Sequence, residues 1–254
     1  MNDVVYYLSK IYKNDFLPKY LSDQIIIDRD IFSNPEILNL LETEKDSFNL
    51  LIRHIKNLNK SIASFKDILI IGSGSGRLGS VIRKRYSSSH ITDIDINAKA
   101  VKRLKEKVTK DKYRKVIKAD AHNLPFSSNS FDLVVAYASM RYMYDINKAI
   151  DEFMRAAKKG GYILIAEGNK LSTMKCVIAS LTEKRLNFEK KVYKDVLLPK
   201  LTFFYYVLEK VKHDQVLANL LNSHRTAQNK SIYQVAFELA GDQLGKIYTC
   251  TIKK

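Results

Sequence analysis

Five short apolar runs alternate with helix-spaced stretches between residues 67 and 168: DILIIG, HITDIDI, YRKVIKAD, FDLVVAYA and GYILIAEG. Runs of that length, apolar at successive positions, suit strands buried on both faces. Strand and helix in alternation predict an α/β chain with a doubly wound, mostly parallel sheet. Right-handed crossovers then bring the strands' C-terminal ends to one edge, where open sheets of this kind bind ligands. The residues with chemistry to offer fall at that edge: the glycines of 72–79, Asp95, Asp120, Tyr137 and Glu167.

The first run leads into ILIIGSGSGRLG, residues 68–79. Gly72, Gly74 and Gly76 fit G-x-G-x-G, while Gly74, Gly76 and Gly79 fit the dinucleotide pattern G-x-G-x-x-G. A phosphate-gripping P-loop is excluded, because Ser80-Val81 stand where Lys-Ser or Lys-Thr would be needed. A dinucleotide and S-adenosylmethionine both require an acid at the end of the second strand for the ribose, and Asp93 or Asp95 meets that need. The loop and the first two strands leave these two cofactors tied.

The flanks differ in texture. Residues 3–14 place Val4, Tyr7, Leu8 and Ile11 on one helical face. Residues 34–60 carry a stripe of Leu38, Leu41, Phe48, Leu51 and Ile55, opened by Asn34-Pro35. After Lys170 the alternation stops for about 60 residues, with helical patterns in LSTMKCVIASL and VLLPKLTFFYYVLEKV, and GKIYTCTI then reads as a closing strand. Four parts follow: a helical N-terminal cap, 1–62; a cofactor-binding core, 63–170; a helical lid or insertion after the fifth strand, 171–230; and closing strands of a seven-stranded sheet, 231–254.

Composition removes several classes. No apolar run approaches the roughly 18 residues that span a bilayer, and the N-terminus lacks the pattern of a signal peptide. Cys176 and Cys250 have neither disulfide-framework nor metal-ligand spacing, none of the five histidines is assigned to a metal, and the expected compartment is the cytoplasm. The net charge of +16 divides as zero over residues 1–66, +9 over 67–170 and +7 over 171–254. Its densest cluster, residues 99–118, is lysine-rich and places Val101, Leu104 and Val108 on one helical stripe, so it reads as a solvated face more than a nucleic-acid footprint.

The third run breaks the tie between cofactors. Residues 119–135, ADAHNLPFSSNSFDLVV, carry Asp120-Ala121, Leu124-Pro125-Phe126 and Ser130-Phe131-Asp132, and Gly160-Gly161 precede the fifth run. In that order, with the glycine loop and Asp95, the chain resembles the class I S-adenosylmethionine-dependent methyltransferases, in particular the small-molecule group that includes the ubiquinone/menaquinone methyltransferases. The likeness covers about residues 65–168. It implies a Rossmann-like core that uses S-adenosylmethionine and releases S-adenosylhomocysteine. It departs at Ile70, where the family carries an acid that orients the loop, and at Arg141-Tyr142-Met143-Tyr144-Asp145, where the family often carries a His pair.

The resemblance implies roles for named positions. Gly72, Ser73, Gly74 and Gly76 would admit the methionine tail; Asp95 would hold the ribose diol and Ile96 would pack on the adenine. Asp120 would accept from the adenine amino group beside Ala121 and His122, and Tyr137 would lie near the methionine moiety. Gly79 and Asp93 are read as structural, with Asp93 on the opposite face from Asp95. For chemistry, Arg141 would hold an anionic group of the acceptor, Tyr142 would line the pocket or relay a proton, and Glu167, followed by Asn169, is the carboxylate placed to act as base. The aromatic stretch 197–211 would supply a hydrophobic lid, a dimer contact or a peripheral membrane contact, with Tyr6-Tyr7 closing from the other side. The expected function is methyl transfer to O, N or C of a small, lipophilic or anionic molecule, by a monomer or homodimer. An RNA or protein methyltransferase and a non-catalytic cofactor-binding partner subunit stand as alternatives.

Overall fold

The computed structural model describes residues 46–58, 65–168, 171–195, 214–232, 234–235 and 245–254. Tyr6-Tyr7, Asn169 and the aromatic stretch 197–211 lie outside the described residues. The described elements are α1 (Asp46–Leu58), β1 (Asp67–Ile71), α2 (Arg77–Arg85), β2 (His90–Asp95), α3 (Ala98–Lys107), β3 (Arg114–Lys118), β4 (Phe131–Tyr137), α4 (Ile146–Ala156), β5 (Ala157–Gly168), α5 (Leu171–Glu183), β6 (Phe188–Asp195), α6 (Gln215–Gln228) and β7 (Gly245–Lys253). A single 3-10 turn, Met140–Tyr142, follows β4.

The strands form one seven-stranded sheet in the order β3-β2-β1-β4-β5-β7-β6. β1 pairs in parallel with both β2 and β4, so the order reverses between β1 and β4 and a crevice opens above their C-terminal ends. β7 runs antiparallel between β5 and β6. This is the Rossmann-like α/β architecture that the alternation predicts.

Alternation along β1 explains why its run is apolar throughout. Leu69 and Ile71 enter one core with α4 and α5, while Ile68 and Ile70 enter another with α1 and α2. On α1, Phe48, Leu51, Ile52 and Ile55 recur at helical spacing and are all buried. Each such side chain contributes roughly 1.5–3 kcal/mol on leaving water. The helices start where capping residues stand: Asn97 accepts from the backbone N–H of Lys99 and Ala100, and Asp145 from that of Lys148.

Three features depart from the sequence expectations. First, the stretch 171–230 is not wholly helical, because β6 lies within it. FEKKVYKD is rich in lysine and leaves Val192 exposed, as suits an edge strand, so it lacks a clean apolar signature. Second, residues 231–235, expected to be strand-like, include a helical bond from Val235 N–H to the Ser231 carbonyl. Third, Asp93 and Asp95 are two residues apart on one strand and so project from the same face. Depth separates them: Asp93 is fully buried against Arg114, and Asp95 ends the strand at the crevice.

Candidate functional site

The glycine loop is held from below. Ser73 N–H donates to the Ile94 carbonyl at 2.9 Å, and Gly76 N–H donates to the Ser73 carbonyl at 2.8 Å. The Arg114 guanidinium passes beneath, donating to both oxygens of Asp93 at 2.6 and 3.2 Å, to the Gly76 carbonyl at 2.6 Å and to Ser80 Oγ at 2.8 Å. Two glycines are explained by what crowds them. At Gly76, φ is +72° and a Cβ would lie 2.2 Å from Leu104 Cδ1; at Gly79, a Cβ would lie 2.3 Å from an Arg114 nitrogen. Gly79 therefore makes room for the guanidinium, in keeping with its reading as structural.

Asp95 closes the loop from the side. One carboxylate oxygen accepts from Gly74 N–H and the other from Asn97 N–H, each at 2.8 Å. Each oxygen keeps a second acceptor site, so a vicinal diol fits the same carboxylate. Ile96, 44% exposed, stands beside it.

Asp120 begins the turn after β3. Its Oδ1 accepts from His122 N–H at 2.9 Å and from His122 Nδ1 at 2.6 Å, and its Oδ2 accepts from the Tyr144 hydroxyl at 3.2 Å. Burial pushes this carboxyl up, but the His122 bonds outweigh it and hold the group below the usual carboxylate range. His122 is buried, and its Nε2 accepts from Asp145 N–H at 3.3 Å, which leaves the proton on Nδ1. Tyr144 stacks on its ring, with centroids 3.6 Å apart. The Leu124-Pro125-Phe126 turn is clamped by α4: Glu152 accepts from Leu124 N–H at 2.7 Å, and Arg155 donates to the carbonyls of Leu124 and Phe126 at 2.9 and 2.6 Å. Asp132 accepts from the backbone N–H of Lys66 and Asp67, tying the start of β4 to that of β1.

The third wall comes from the end of β4. Tyr137 packs against Phe48 of α1 with the rings tilted at 45° and their centroids 5.3 Å apart. Ser139 is buried with no hydrogen-bond partner for its hydroxyl among the described residues, and it packs so closely on Gly72 that a Cβ there would lie 2.7 Å from its own. Arg141 and Glu167 are turned onto each other. Glu167 is fully buried; one of its oxygens accepts from Met140 N–H at 2.7 Å, and the other accepts from Arg141 at 2.9 and 2.6 Å. Burial disfavours the Arg141 charge, but the carboxylate outweighs this and raises the guanidinium pKa further.

These walls enclose a cavity of about 260 Å³. Gly72, Ser73, Gly74, Asp95, Ile96, Asp120, Ala121, His122, Tyr137 and Tyr142 all line it; Gly76, expected among them, supports the loop from behind. Arg141 and Glu167 do not line it. Each is instead ion-paired with the other, and the Met140 N–H bond ties the pair to the 139–142 segment. Sequence reasoning missed Phe48, Arg77, Ser139, Met143 and Tyr144 as lining residues. Of these only Phe48 carried a signal, its place in the α1 stripe, and that pointed to the core. Among the described residues no group of three or more His, Cys, Asp and Glu side chains is placed to hold a metal, and no helix is long and apolar enough to cross a membrane.

A family model described as a methyltransferase domain matches residues 69–165. The ubiquinone/menaquinone biosynthesis C-methyltransferase UbiE of Rickettsia massiliae is 33% identical over 149 residues, 56% of each chain. That of Rickettsia felis is 35% identical over 134 residues, 50% of each. The chain thus spans about half the length of the curated relatives it matches. Among solved structures, the [4+2]-cyclase SpnF superposes with a TM-score of 0.55 at 17% identity over 80% of both chains. Phosphoethanolamine N-methyltransferase 2 of Haemonchus contortus, in complex with S-adenosyl-L-methionine, superposes with a TM-score of 0.51 at 18% identity over 81% of this chain and 52% of the other. At such identities the structural likeness speaks for the fold alone.

Proposed function

We propose that this chain, whose residues 69–165 form a class I methyltransferase domain similar to UbiE, is an S-adenosylmethionine-dependent methyltransferase acting on a small molecule. One observation carries the reading: Asp95 and Asp120, at the ends of adjacent strands, open onto the same cavity as the glycine loop. That spacing suits a nucleoside held at both ribose and base, and the unpartnered Ser139 hydroxyl beside Gly72 suits a polar tail beyond it.

When bound, S-adenosylmethionine would supply an electrophilic methyl group, with S-adenosylhomocysteine as the in-line leaving group. The chain's own residues orient and enclose the reactants. Asp95 would accept from the ribose hydroxyls. Asp120, ionised, would accept from the adenine amino group, taking over the site that the Tyr144 hydroxyl fills. Ala121, Ile96 and His122 would bound the adenine, and Tyr137 with Phe48 would exclude water from the methionine side. Tyr142 is the lining residue proposed for the acceptor side, as wall or proton relay. The relatives' names favour a carbon acceptor, although O and N acceptors fit the same geometry. The compartment proposed is the cytoplasm.

A second reading, an RNA methyltransferase, draws support from the exposed Lys102, Arg103, Lys105 and Lys107 along α3. Calorimetric titration with S-adenosylhomocysteine and NAD tests the first reading, which expects binding of the former alone. Binding of NAD but not S-adenosylhomocysteine would overturn it. Tight, steeply salt-dependent RNA binding would promote the second.

A further inference from the structure

One side chain of the cavity wall stands on the group that an adenine would need. Tyr144 lines the cavity, and its hydroxyl donates to Asp120 Oδ2 at 3.2 Å. Its ring lies on His122, with centroids 3.6 Å apart and the planes 25° from parallel. Asp120 Oδ1 is committed to His122, accepting from its N–H at 2.9 Å and from Nδ1 at 2.6 Å. Oδ2 is therefore the oxygen through which this carboxylate can meet a ligand, and Tyr144 covers it.

The cover is held lightly. A hydroxyl on a carboxylate ordinarily closes to about 2.5–2.7 Å, so the Tyr144 bond is a long one. The Tyr144 side chain is 71% exposed, so most of it still meets water despite the stack. The backbone on either side is pinned. Met143 N–H donates to the Met140 carbonyl at 3.0 Å, and Asp145 N–H donates to His122 Nε2 at 3.3 Å. Opening thus needs only the rotation of one exposed side chain, with the loop left in place. Rotations of that kind are fast, on the picosecond-to-nanosecond scale.

We propose that Tyr144 is a gate at the adenine end of the cavity: its closed position caps Asp120, and it gives way when a purine amino group takes over that oxygen. The inference rests on the reading of the cavity as an S-adenosylmethionine site. One donor is exchanged for another, so the carboxylate is paired in both positions of the gate. The closed position lowers affinity. A ligand that needs the open one binds with its intrinsic affinity reduced by the fraction of chains that are open. Tyr144 therefore sets how readily adenine-bearing ligands enter, while Asp120 makes the contact once they are in.

Stopped-flow and calorimetric binding of S-adenosylhomocysteine and 5′-methylthioadenosine to the full chain test the gate. Both ligands carry adenine, so both should respond alike. A hydrogen bond this long is worth no more than an ordinary neutral one, about twofold to tenfold in affinity, so Tyr144→Phe should tighten both ligands by that factor. The gain should appear in the association rate with dissociation unchanged, because fast opening precedes binding. Tyr144→Ala, which also removes the stack on His122, should gain at least as much. In an Asp120→Ala background no oxygen is left to guard, and Tyr144→Phe should leave both affinities unchanged. Unchanged or weaker binding in Tyr144→Phe would overturn the inference, and so would a gain that survives in the Asp120→Ala background. A wild-type chain that binds neither ligand would sink the cavity reading and the inference with it. A wild-type chain that binds both, with no gain in Tyr144→Phe, would sink the inference alone.

Discussion

Ile70 and Asp93 stand opposite each other in register on the parallel pair β1 and β2. Parallel partners share a face, so the carboxylate missing at Ile70 is present one strand away, with Arg114 set against it. Arg114 carries the link upward to the Gly76 carbonyl and Ser80. The glycine loop thus has an ionic support that lies to one side of the position where the family resemblance places it.

The support is almost dry: the Arg114 and Asp93 side chains are 3% and 0% exposed. Removing one member leaves the other charged and buried, which costs about 3–5 kcal/mol. Asp93→Asn and Arg114→Met should each lower unfolding stability by that order in denaturant titrations. The double replacement Asp93→Leu/Arg114→Met should lose less than the two single losses added together. Simple additivity would show that the pair does not act as a unit.

Arg141 and Glu167 make the same kind of prediction with a functional readout. Glu167→Gln keeps an acceptor for Met140 N–H but leaves Arg141 without its carboxylate. The 139–142 segment should loosen, with a loss of turnover larger than the loss of S-adenosylhomocysteine affinity. If Glu167 were the base, turnover should instead vanish with a lost limb in the pH profile and no change in stability.

Asp120 gives a pH dependence with a definite sign. Its folded pKa is depressed below the ordinary 3.8, chiefly by bonds from His122 that outweigh burial. A depressed acid contributes stability that is present above the unfolded pKa and lost as pH falls through the folded one. Cofactor affinity should therefore show no titration of Asp120 between pH 5 and 8, and Asp120→Asn should weaken S-adenosylhomocysteine about tenfold or more by losing a charged acceptor. A rise in affinity for Asp120→Asn would contradict its proposed contact with the adenine amino group.

His54 acts with the same sign in a higher pH window. It is buried on α1, with Nδ1 2.5 Å from the Tyr193 hydroxyl and Nε2 2.8 Å from Thr251 Oγ1. Burial lowers its pKa below 6.5, and Lys191 adds to the effect. Its unfolded form binds the proton more readily, so stability is full above about pH 6.5 and falls as pH drops below it. The thermal midpoint should decline between pH 7 and pH 5, and His54→Gln should flatten that slope. An unchanged slope in the variant would remove His54 as the cause.

The parts legible in the sequence were those set by local pattern. Both faces of β1, β2, β4 and β5 are covered, so their apolar runs were visible, and the glycines, Asp95 and Asp120 sit at fixed offsets from strand ends. The illegible parts depend on partners distant in sequence. Arg141 and Glu167 are 26 residues apart, and each alone resembles a group offered to a ligand. Arg77 gave no sign of lining the cavity, because nothing local reveals that Phe48 lies under it. Edge strand β6 was hidden because a strand paired on one side only can be mostly charged.

The placement of β7 sets an order of assembly. It is the last of the described strands to leave the ribosome, yet it lies inside the sheet, hydrogen-bonded to β5 on one side and β6 on the other. Until it arrives, the β5 edge is an open template and β6 has no neighbour in the sheet. The β1–β4 crevice can be built from earlier residues, while the far half of the sheet must wait for a long-range closure. Such closures are slow and leave strand edges open to the wrong partner. The nascent chain therefore passes through a stage in which its ligand-facing half is spelled out but its β5 edge is still exposed to aggregation.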